Sequence, residues 1–520
     1  MKNKPLFIFG CVALASCASS SPQVITSEAS KQNSADASSI ISEREAPSSS
    51  ESSDPLGVNI LTPSEEFLEV FDLSSKVQIK LTFDEDTLHD LSYYGANFNR
   101  KYSDIYFPGR VEITVNGASE TFEEAGIRMK GNTSRREILD EHGQIYQPCH
   151  FKVSLKATFD DELYNLPEFT KYRHDWSLET ANRAERKDRN FRGIEKFDLK
   201  YIPRNLNSAY GQEIYAYNAF RNAGLLSPHD NYCKVVISNG TSSLEGDYEI
   251  IETIDKQFLK RYLGKSESKG DLYKCVYGPM GKADQARSGA VEAVYDSDGF
   301  TCGERIERGK IGVKDPYDGY FPCYDLTTND DLGEGSDFSK MSGFINAMWN
   351  LRYKAASQEL LESVLDVDWF LKFEAISYLL GNFDDQRNNY NNYYLYFLPS
   401  SGKALYIPYD WDWCLGADMG RGTAEWGPYR DRDMEGNKIG TNIYFNTIFD
   451  DENRHSYSLD SYKAAYDLYI KHGIENGVLD IDNYDAQLSN APSTVRAERE
   501  SVAQYMSNKK AVIEREYGSL

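Results

Sequence analysis

The chain has 520 residues, of which 13% are aromatic and 27% charged, and its formal net charge is −24. This length is enough for one large domain or two ordinary ones. So negative a chain excludes nucleic acid and anionic lipid surfaces as general electrostatic partners, although it leaves room for a local basic pocket.

The first 17 residues have the pattern of a bacterial export signal. Lys2 and Lys4 precede an apolar run over residues 5–16, which is too short to span a bilayer as a helix. The stretch LASC, which ends at Cys17, resembles a lipobox and predicts lipidation of this cysteine. The alternative is an ordinary signal peptide with an incidental cysteine. Loss of the two lysines with the signal would take the formal charge from −24 to −26.

A tether and a folded domain follow the signal. Residues 18–55 are rich in Ser, Ala and Glu and poor in aromatic residues, so they are predicted to be a disordered linker. Residues 56–520 form the predicted domain. Together with Cys17, this order predicts an exported domain that is lipid-anchored to the outer face of a bacterial membrane.

The front half of the domain is predicted to be mainly β-structure. Alternating apolar residues predict strands at 75–83 and 110–117, and Asn116-Gly117 is typical of a hairpin turn. The next elements in chain order are a strand entering a glycine-containing turn (122–135), a strand (150–159), a helix (209–223) and a hairpin (231–254).

The back half is predicted to be mainly helical. Residues 280–340 are polar and rich in glycine, which predicts an insertion or a long loop. A helix over 366–380 is followed by two strands, 391–397 and 404–410, and residues 458–520 are predicted to form helices. The pattern therefore predicts an α+β fold whose polar motifs lie near the junction of its two halves.

Six cysteines remain after removal of the signal. They form no CxxC pair, which argues against a zinc site, and an exported protein permits disulfides. A pair between Cys302 and Cys323 is the favoured possibility.

Acidic residues in two segments suggest metal or phosphate chemistry. Asp384 and Asp385 open an asparagine-rich loop, and Asp384 and Asn389 have the spacing of a protein-kinase catalytic loop. Asp410 and Asp412 follow an apolar strand, and both are predicted to point to one side of it. Phosphoryl transfer needs a positioned base and hard oxygen ligands for Mg²⁺. The same residues could instead cap turns or bind calcium or water.

Residues 379–416 (LLGNFDDQRNNYNNYYLYFLPSSGKALYIPYDWDWCLG) resemble the signature of the CotH kinase family, the spore coat protein H group of atypical kinases. Upstream segments are similar to further motifs of that family and occur in the right order over about residues 75–515. These segments are GIRMKGNTSR, FKVSLK, GDYEIIETIDKQFL and GDLYK.

The resemblance implies a bilobal, protein-kinase-like fold that binds ATP and Mg²⁺ and phosphorylates protein hydroxyls, with Ser or Thr favoured, on surface or coat proteins. The N-terminal lobe would cover about 75–265, and the C-terminal lobe about 341–520. Protein substrates and ATP would be the partners, besides the membrane reached through the lipid anchor, and no nucleic acid is expected.

The resemblance also implies roles for the acidic and amide residues. Asp384 matches the proposed catalytic base, and the neighbouring Asp385 leaves its register open by one residue. Asp410 and Asp412 match metal-binding aspartates. Asn389 and Asn392 fall among the asparagines that would complete the metal shell.

On the phosphate side, the turn Gly131-Asn132-Thr133-Ser134 matches the segment expected over the phosphates. Lys152 and Lys156 share one face of the next strand, and either could neutralise phosphate charge. Glu252 and Glu213 are candidates to orient that lysine. A surface strand and ordinary helix acids are the alternatives.

The chain departs from the family pattern at three places. Lys130 stands where arginine is usual, Tyr409 stands where tryptophan is usual, and residues 135–190 align with no family segment. These departures affect the phosphate side more than the aspartates.

Two other functions fit the sequence. A kinase-like fold could serve as a non-catalytic surface module of the cell envelope, because ATP is scarce outside the cell. The same aspartates could also hold a structural calcium ion.

Overall fold

The computed structural model describes residues 57–131, 134–176, 183–202, 211–276, 306–315, 321–353, 357–387, 391–429 and 460–518. Helices and strands both occur along these ranges, which confirms the α+β class. The signal, Cys17 and the linker up to residue 56 lie outside the described residues. In the described part of the chain, no helix is long and apolar enough to cross a membrane.

The helices and strands are numbered here in chain order. The strands are β1 (Val77–Thr82), β2 (Phe107–Val115), β3 (Ala118–Met129), β4 (Phe151–Ser154), β5 (Lys196–Ile202), β6 (Asp230–Ser238), β7 (Ser243–Glu252), β8 (Leu272–Cys275), β9 (Ile306–Gly312), β10 (Phe321–Leu326), β11 (Tyr393–Phe397) and β12 (Ala404–Pro408). The helices are α1 (Glu65–Phe71), α2 (Glu85–Gly95), α3 (Arg183–Lys187), α4 (Gln212–Asn222), α5 (Lys256–Glu267), α6 (Ser339–Tyr353), α7 (Gln358–Val364), α8 (Val367–Leu380), α9 (Asp460–Glu475), α10 (Ile481–Gln487) and α11 (Arg499–Tyr517).

The first seven strands close a barrel in the order β1-β2-β3-β4-β5-β7-β6. Neighbours are antiparallel except for β1 and β6, which run parallel. In β1, Val77, Ile79 and Leu81 are buried, whereas Gln78 and Lys80 are exposed. This period of two places one apolar face of each strand inside the barrel, where these residues form one hydrophobic cluster.

The remaining strands form a second sheet in the order β12-β11-β8-β10-β9. Every residue of β11 and β12 is buried, which matches their continuous apolar sequences. This sheet and α8 share a second hydrophobic cluster with α4. Helix α8 begins after Asp366, whose side chain accepts the N–H of Trp369, and it ends at Gly381, where φ is +66°.

Most predicted elements are confirmed, because they rest on local patterns. The strands predicted at 75–83 and 110–117 are β1 and β2, and Asn116-Gly117 joins β2 to β3. The helix predicted at 209–223 is α4, and the hairpin predicted at 231–254 is β6 and β7. The helix before the acidic loop is α8, and the strand pair after it is β11 and β12.

Of the two alternatives for 280–340, an insertion or a long loop, the long loop is wrong for the second half. Strands β9 and β10 lie in the second sheet, and α6 begins at Ser339. No apolar pattern predicts β9, because a strand at the edge of a sheet can remain polar. Residues 277–305, with Cys302, lie outside the described residues, so the pairing of Cys302 with Cys323 stays a prediction; Cys323 itself is buried in β10.

The second acidic segment is also not the strand that the sequence predicted. Strand β12 ends at Pro408, and Asp410 has a φ of +58°. Asp410 and Asp412 therefore do not owe their positions to strand alternation. A short polar side chain tolerates this left-handed conformation better than a β-branched one does.

Candidate functional site

A buried lysine on β5 forms the centre of the candidate site. Phe197 and Leu199 contribute to the barrel interior. Asp198 and Lys200 alternate with them and therefore face the opposite side of the strand. The Lys200 ammonium lies 2.5 Å from a carboxylate oxygen of Glu213 in the first turn of α4, and the two side chains are only 3% and 1% exposed. Because loss of either partner would bury an unpaired charge, this ion pair fixes α4 against the barrel.

The same ammonium group meets two further carboxylates. It contacts Oδ1 of Asp410 and lies 3.6 Å from Oδ2 of Asp412. Carboxylate oxygens of Glu213, Asp410 and Asp412 all lie within 4.8 Å of one another. Hard oxygen donors so close together are the ligands that Mg²⁺ or Ca²⁺ prefers. The donor set therefore fits a divalent cation, and the Lys200 ammonium offsets part of its negative charge in the present arrangement.

Glu213 also holds the backbone of the segment that follows β12. Its Oε1 accepts hydrogen bonds from the Tyr217 hydroxyl at 2.9 Å and from the Trp411 N–H at 3.1 Å. The Tyr217 oxygen in turn accepts the N–H of Asp410 at 2.8 Å. Burial, together with the charges of Glu213 and Asp410, raises the pKa of Tyr217 well above its usual value, so the phenol keeps its proton. Helix α4 thus sets the position of the Asp410 backbone.

The structure separates the two candidates for the catalytic aspartate. Asp385 is 2% exposed, and its Oδ1 accepts the N–H of Arg387 at 3.0 Å within the loop. Asp384 is half-buried, and its Oδ2 accepts hydrogen bonds from Asn392 at 3.0 Å and from Asn391 at 3.4 Å. The more accessible carboxylate is therefore that of Asp384, the residue that the sequence favoured.

One asparagine connects the two acidic segments. The side chain of Asn392 donates to Asp384, and its backbone carbonyl accepts the N–H of Tyr409 at 3.2 Å. Asn392 has a φ of +60°, which an asparagine tolerates. Asn389, the other amide proposed as a metal ligand, lies outside the described residues.

Only the ends of the predicted phosphate turn are described, because Asn132 and Thr133 fall outside the described residues. Gly131 has a φ of +95°, and a Cβ at this position would lie 2.0 Å from Oγ of Ser134. The turn therefore requires glycine here. Immediately before it, the Lys130 ammonium lies 2.7 Å from Asp198.

The structure separates the other predicted phosphate-side residues. Lys152 Nζ lies 3.7 Å from Asp198 Oδ1, beside Lys130. Lys156 instead forms an ion pair of 2.8 Å with Glu195. Glu252 contacts Arg261 and accepts hydrogen bonds from the Tyr262 hydroxyl at 2.9 Å and the His229 N–H at 3.2 Å, so its bonds go to α5 and to the residue before β6. Of the two glutamates proposed to orient a lysine, Glu213 is the one in this role, and its lysine is Lys200.

Lys200 belongs to none of the motifs that mark the site in the sequence. The only local signal is that Asp198 and Lys200 occupy alternate positions in an otherwise apolar strand, KFDLKYI. Charged residues on one face of a buried strand are expensive unless they are paired. That pattern could have identified the charged face of β5. It could not have identified Asp410 as a partner of Lys200, because the two residues are 210 positions apart in the sequence.

The buried carboxylate of Asp198 gives a prediction about stability. Burial alone would raise its pKa, but the ammonium groups of Lys130 and Lys152 hold the pKa at about 2. We expect Asp198→Asn to lower the free energy of unfolding by about 3–5 kcal/mol, because it leaves two lysines without their carboxylate. This stabilisation should be present above about pH 4 and lost as the pH falls towards 2, since an unfolded aspartate titrates near 3.9.

Urea unfolding at several pH values measures this effect. The matched control is Glu123→Gln, which breaks an exposed pair with Arg110 at 3.2 Å and should change stability little. Equal effects of the two substitutions at pH 7 would show that the buried pair contributes no more than a surface pair.

Comparison with known proteins identifies the family of this chain. The family model described as CotH kinase protein matches residues 127–505 of the chain. The crystal structure of the Helicobacter pylori proinflammatory kinase CtkA is similar at 12% sequence identity, with a TM-score of 0.30, and the match covers 62% of this chain and 90% of that chain. No curated protein matches the chain. Since the family model spans well over half of the sequence, this chain belongs to the CotH kinase protein family.

Proposed function

We propose that this protein is an atypical kinase that transfers phosphate from ATP to protein hydroxyls with the help of Mg²⁺. The observation that carries the proposal is the position of Lys200, which pairs with Glu213 on α4 and also contacts Asp410. A lysine that is fixed by a helix glutamate beside a metal-binding aspartate is the arrangement that protein kinases use for nucleotide phosphates.

Each residue has a distinct role in this proposal. Asp410 and Asp412 hold Mg²⁺, which when bound would neutralise charge on the phosphate groups. Lys200 moves its hydrogen bonds from these carboxylates to phosphate oxygens, and Glu213 keeps it in place. Asp384 accepts the proton of the attacking hydroxyl, and Asn392 orients Asp384. Gly131, which has no side chain, would let the backbone approach the phosphates.

In this proposal, the barrel corresponds to the N-terminal lobe of a kinase, and the second sheet with its helices corresponds to the C-terminal lobe. The two hydrophobic clusters support this division, because one fills the barrel and the other includes α8 and the second sheet. Lys200 would then act from the N-terminal lobe and Asp384 and Asp410 from the C-terminal lobe, with Glu213 on α4, a helix that packs in the second cluster.

The acceptor is proposed to be a serine or threonine hydroxyl of a surface or coat protein. We also propose that the protein is exported and anchored through Cys17. The pattern of the first 17 residues supports this location, with a basic start, a short apolar run and a lipobox-like LASC.

Transfer of label from γ-³²P-ATP by the full chain tests the proposed activity. We expect Mg²⁺-dependent labelling of the chain itself or of an added protein, and no labelling when the divalent cation is chelated. Absence of labelling despite ATP binding would favour the non-catalytic surface module. A large rise in melting temperature with Ca²⁺ alone, and none with Mg²⁺ and ATP, would indicate a calcium-stabilised scaffold.

A further inference from the structure

A group of cations lines the region between the barrel and the second sheet, beside Lys200. We call it the basic cluster. Two of its members lie in β3 and β4, and one lies in β8. Two more lie directly after β3 and after the turn that follows it, and the last lies just after β9. The members are Arg128, Lys130, Arg135, Lys152, Lys274 and Lys314.

Among the described residues, three carboxylates form ion pairs or hydrogen bonds with members of this cluster, fewer than its six cations. Asp104 binds Arg128 at 3.0 Å and also contacts Arg135 and Lys314. Asp198 binds Lys130 at 2.7 Å and lies 3.7 Å from Lys152. The third is Asp325, whose Oδ1 accepts the backbone N–H of Lys314 at 2.8 Å.

Lys274 differs from the other members in how it is bonded. It is half-buried in β8, where it forms a backbone pair with Tyr394 of β11. Its ammonium lies 3.3 Å from the Tyr409 hydroxyl and 4.4 Å from the centre of that ring. Among the described residues, no carboxylate forms an ion pair with it. A charge that is withdrawn from water with only a neutral partner is unfavourable unless an anion joins it.

Tyr409 places Lys274 beside the acidic residues. The Lys130 ammonium lies 5.1 Å from the centre of the same ring. Asp410 directly follows Tyr409 in the sequence. The carboxylates of Glu213, Asp410 and Asp412 gather there around Lys200. Among the described residues, cations therefore gather on one side of Tyr409 and carboxylates on the other. A polyanion that also carries a divalent cation matches both sides.

We propose that the polyphosphate of a nucleotide lies along the basic cluster beside Tyr409, and that Lys274 contacts it and selects nucleotides with more phosphate groups. The proposal rests on the function proposed above and adds a residue from the second sheet to the phosphate site. The phosphate groups would also balance the positive charge of the basic cluster that Asp104 and Asp198 leave unbalanced.

The electrostatics of the cluster agree with this assignment. Burial, together with the charges of Lys130, Lys152 and Lys314, lowers the pKa of Lys274 to about 7, and Asp410 opposes the shift. Burial also raises the pKa of Asp325 to about 6, against the charges of Lys314 and Lys274. A phosphate group at Lys274 would relieve the repulsion among the lysines.

Binding of a series of ligands to the full chain in the presence of Mg²⁺ tests the proposal. Titration calorimetry would compare ATP, ADP, AMP and inorganic tripolyphosphate for the wild type, Lys274→Gln and Lys274→Arg. We expect Lys274→Gln to weaken ATP binding about 10- to 100-fold, the effect of losing one charge-assisted hydrogen bond, and to leave AMP nearly unchanged. Lys274→Arg should retain most of the affinity. Lys234→Gln, on the exposed face of β6 and paired with Asp247, is the matched control.

The outcomes separate this inference from the proposed kinase function. If ATP binds and the loss in Lys274→Gln is the same for ATP and AMP, the inference is overturned and the kinase assignment stands. A third outcome is that no nucleotide binds, whereas tripolyphosphate binds to the wild type and not to Lys274→Gln. That result would support the anion site and contradict the nucleotide assignment. If no ligand in the series binds, both fail.

Discussion

Lys200→Met is expected to lower phosphoryl transfer about 10²- to 10³-fold and to raise the affinity of the nucleotide-free protein for Mg²⁺ about tenfold. The first effect follows because the substitution removes the cation proposed to bind phosphate. The second follows because Lys200 contacts Asp410 and lies near Asp412, so it competes with a metal ion for the same oxygens. A rise in metal affinity on loss of a lysine distinguishes this competition from general damage to the fold.

Stability measurements provide a second readout for this variant. Without divalent cations, three carboxylates would face one another, so we expect a loss of about 3–5 kcal/mol in the free energy of unfolding. Mg²⁺ should restore part of this loss, and the rise in melting temperature should exceed that of the wild type. Lys234→Met, which breaks an exposed pair, is the control. Unchanged or weaker metal binding by Lys200→Met would show that the lysine does not occupy the cation site.

Asp384→Asn and Asp410→Asn are expected to fail in different ways. Asp384→Asn keeps the size of the side chain and leaves the carboxylates around Lys200 intact, so ATP should bind normally while transfer falls about 10²- to 10⁴-fold. Asp410→Asn removes a charged ligand from a hard cation. Its Mg²⁺-dependent affinity for ATP should fall about 10- to 100-fold, together with turnover. Parallel binding and labelling assays on the two variants measure the difference.

Asp385→Asn tests the register of the catalytic residue. Asp385 is buried and accepts the N–H of Arg387, so we expect this change to affect stability more than the chemistry. If Asp384→Asn retained full phosphoryl transfer and a folded Asp385→Asn showed none, the catalytic role would belong to Asp385. If neither aspartate affected transfer, these side chains would have no part in the chemistry.

The sequence predicted the acidic half of the site better than the basic half, and the reason is physical. Asp384 lies between α8 and β11, and Asp410 follows β12, which pairs with β11, so local patterns bring the two segments together. The lysines come from separate strands of a barrel, and their neighbours depend on strand order. Lys152 and Lys156 share the predicted strand face, but β4 ends at Ser154 and Lys156 turns to Glu195.

The same limit applies to the positions of Asp410 and β9. Strand alternation predicted the direction of the Asp410 side chain, but the backbone after Pro408 is instead fixed by the hydrogen bonds that its N–H groups donate to side chains of α4. Strand β9 is polar and lies at the edge of its sheet, so no apolar pattern marks it. Contacts between distant segments decided both features, and a single sequence does not display such contacts.

Isothermal titration of the full chain with ATP, with and without Mg²⁺, tests the central claim most directly. The claim is that Lys200, Glu213, Asp410 and Asp412 form a site for a nucleotide and its metal ion. We expect ATP to bind in the presence of Mg²⁺, to bind much more weakly without it, and to lose this dependence in Asp410→Asn. Absence of ATP binding by the folded wild type with any divalent cation would contradict the claim.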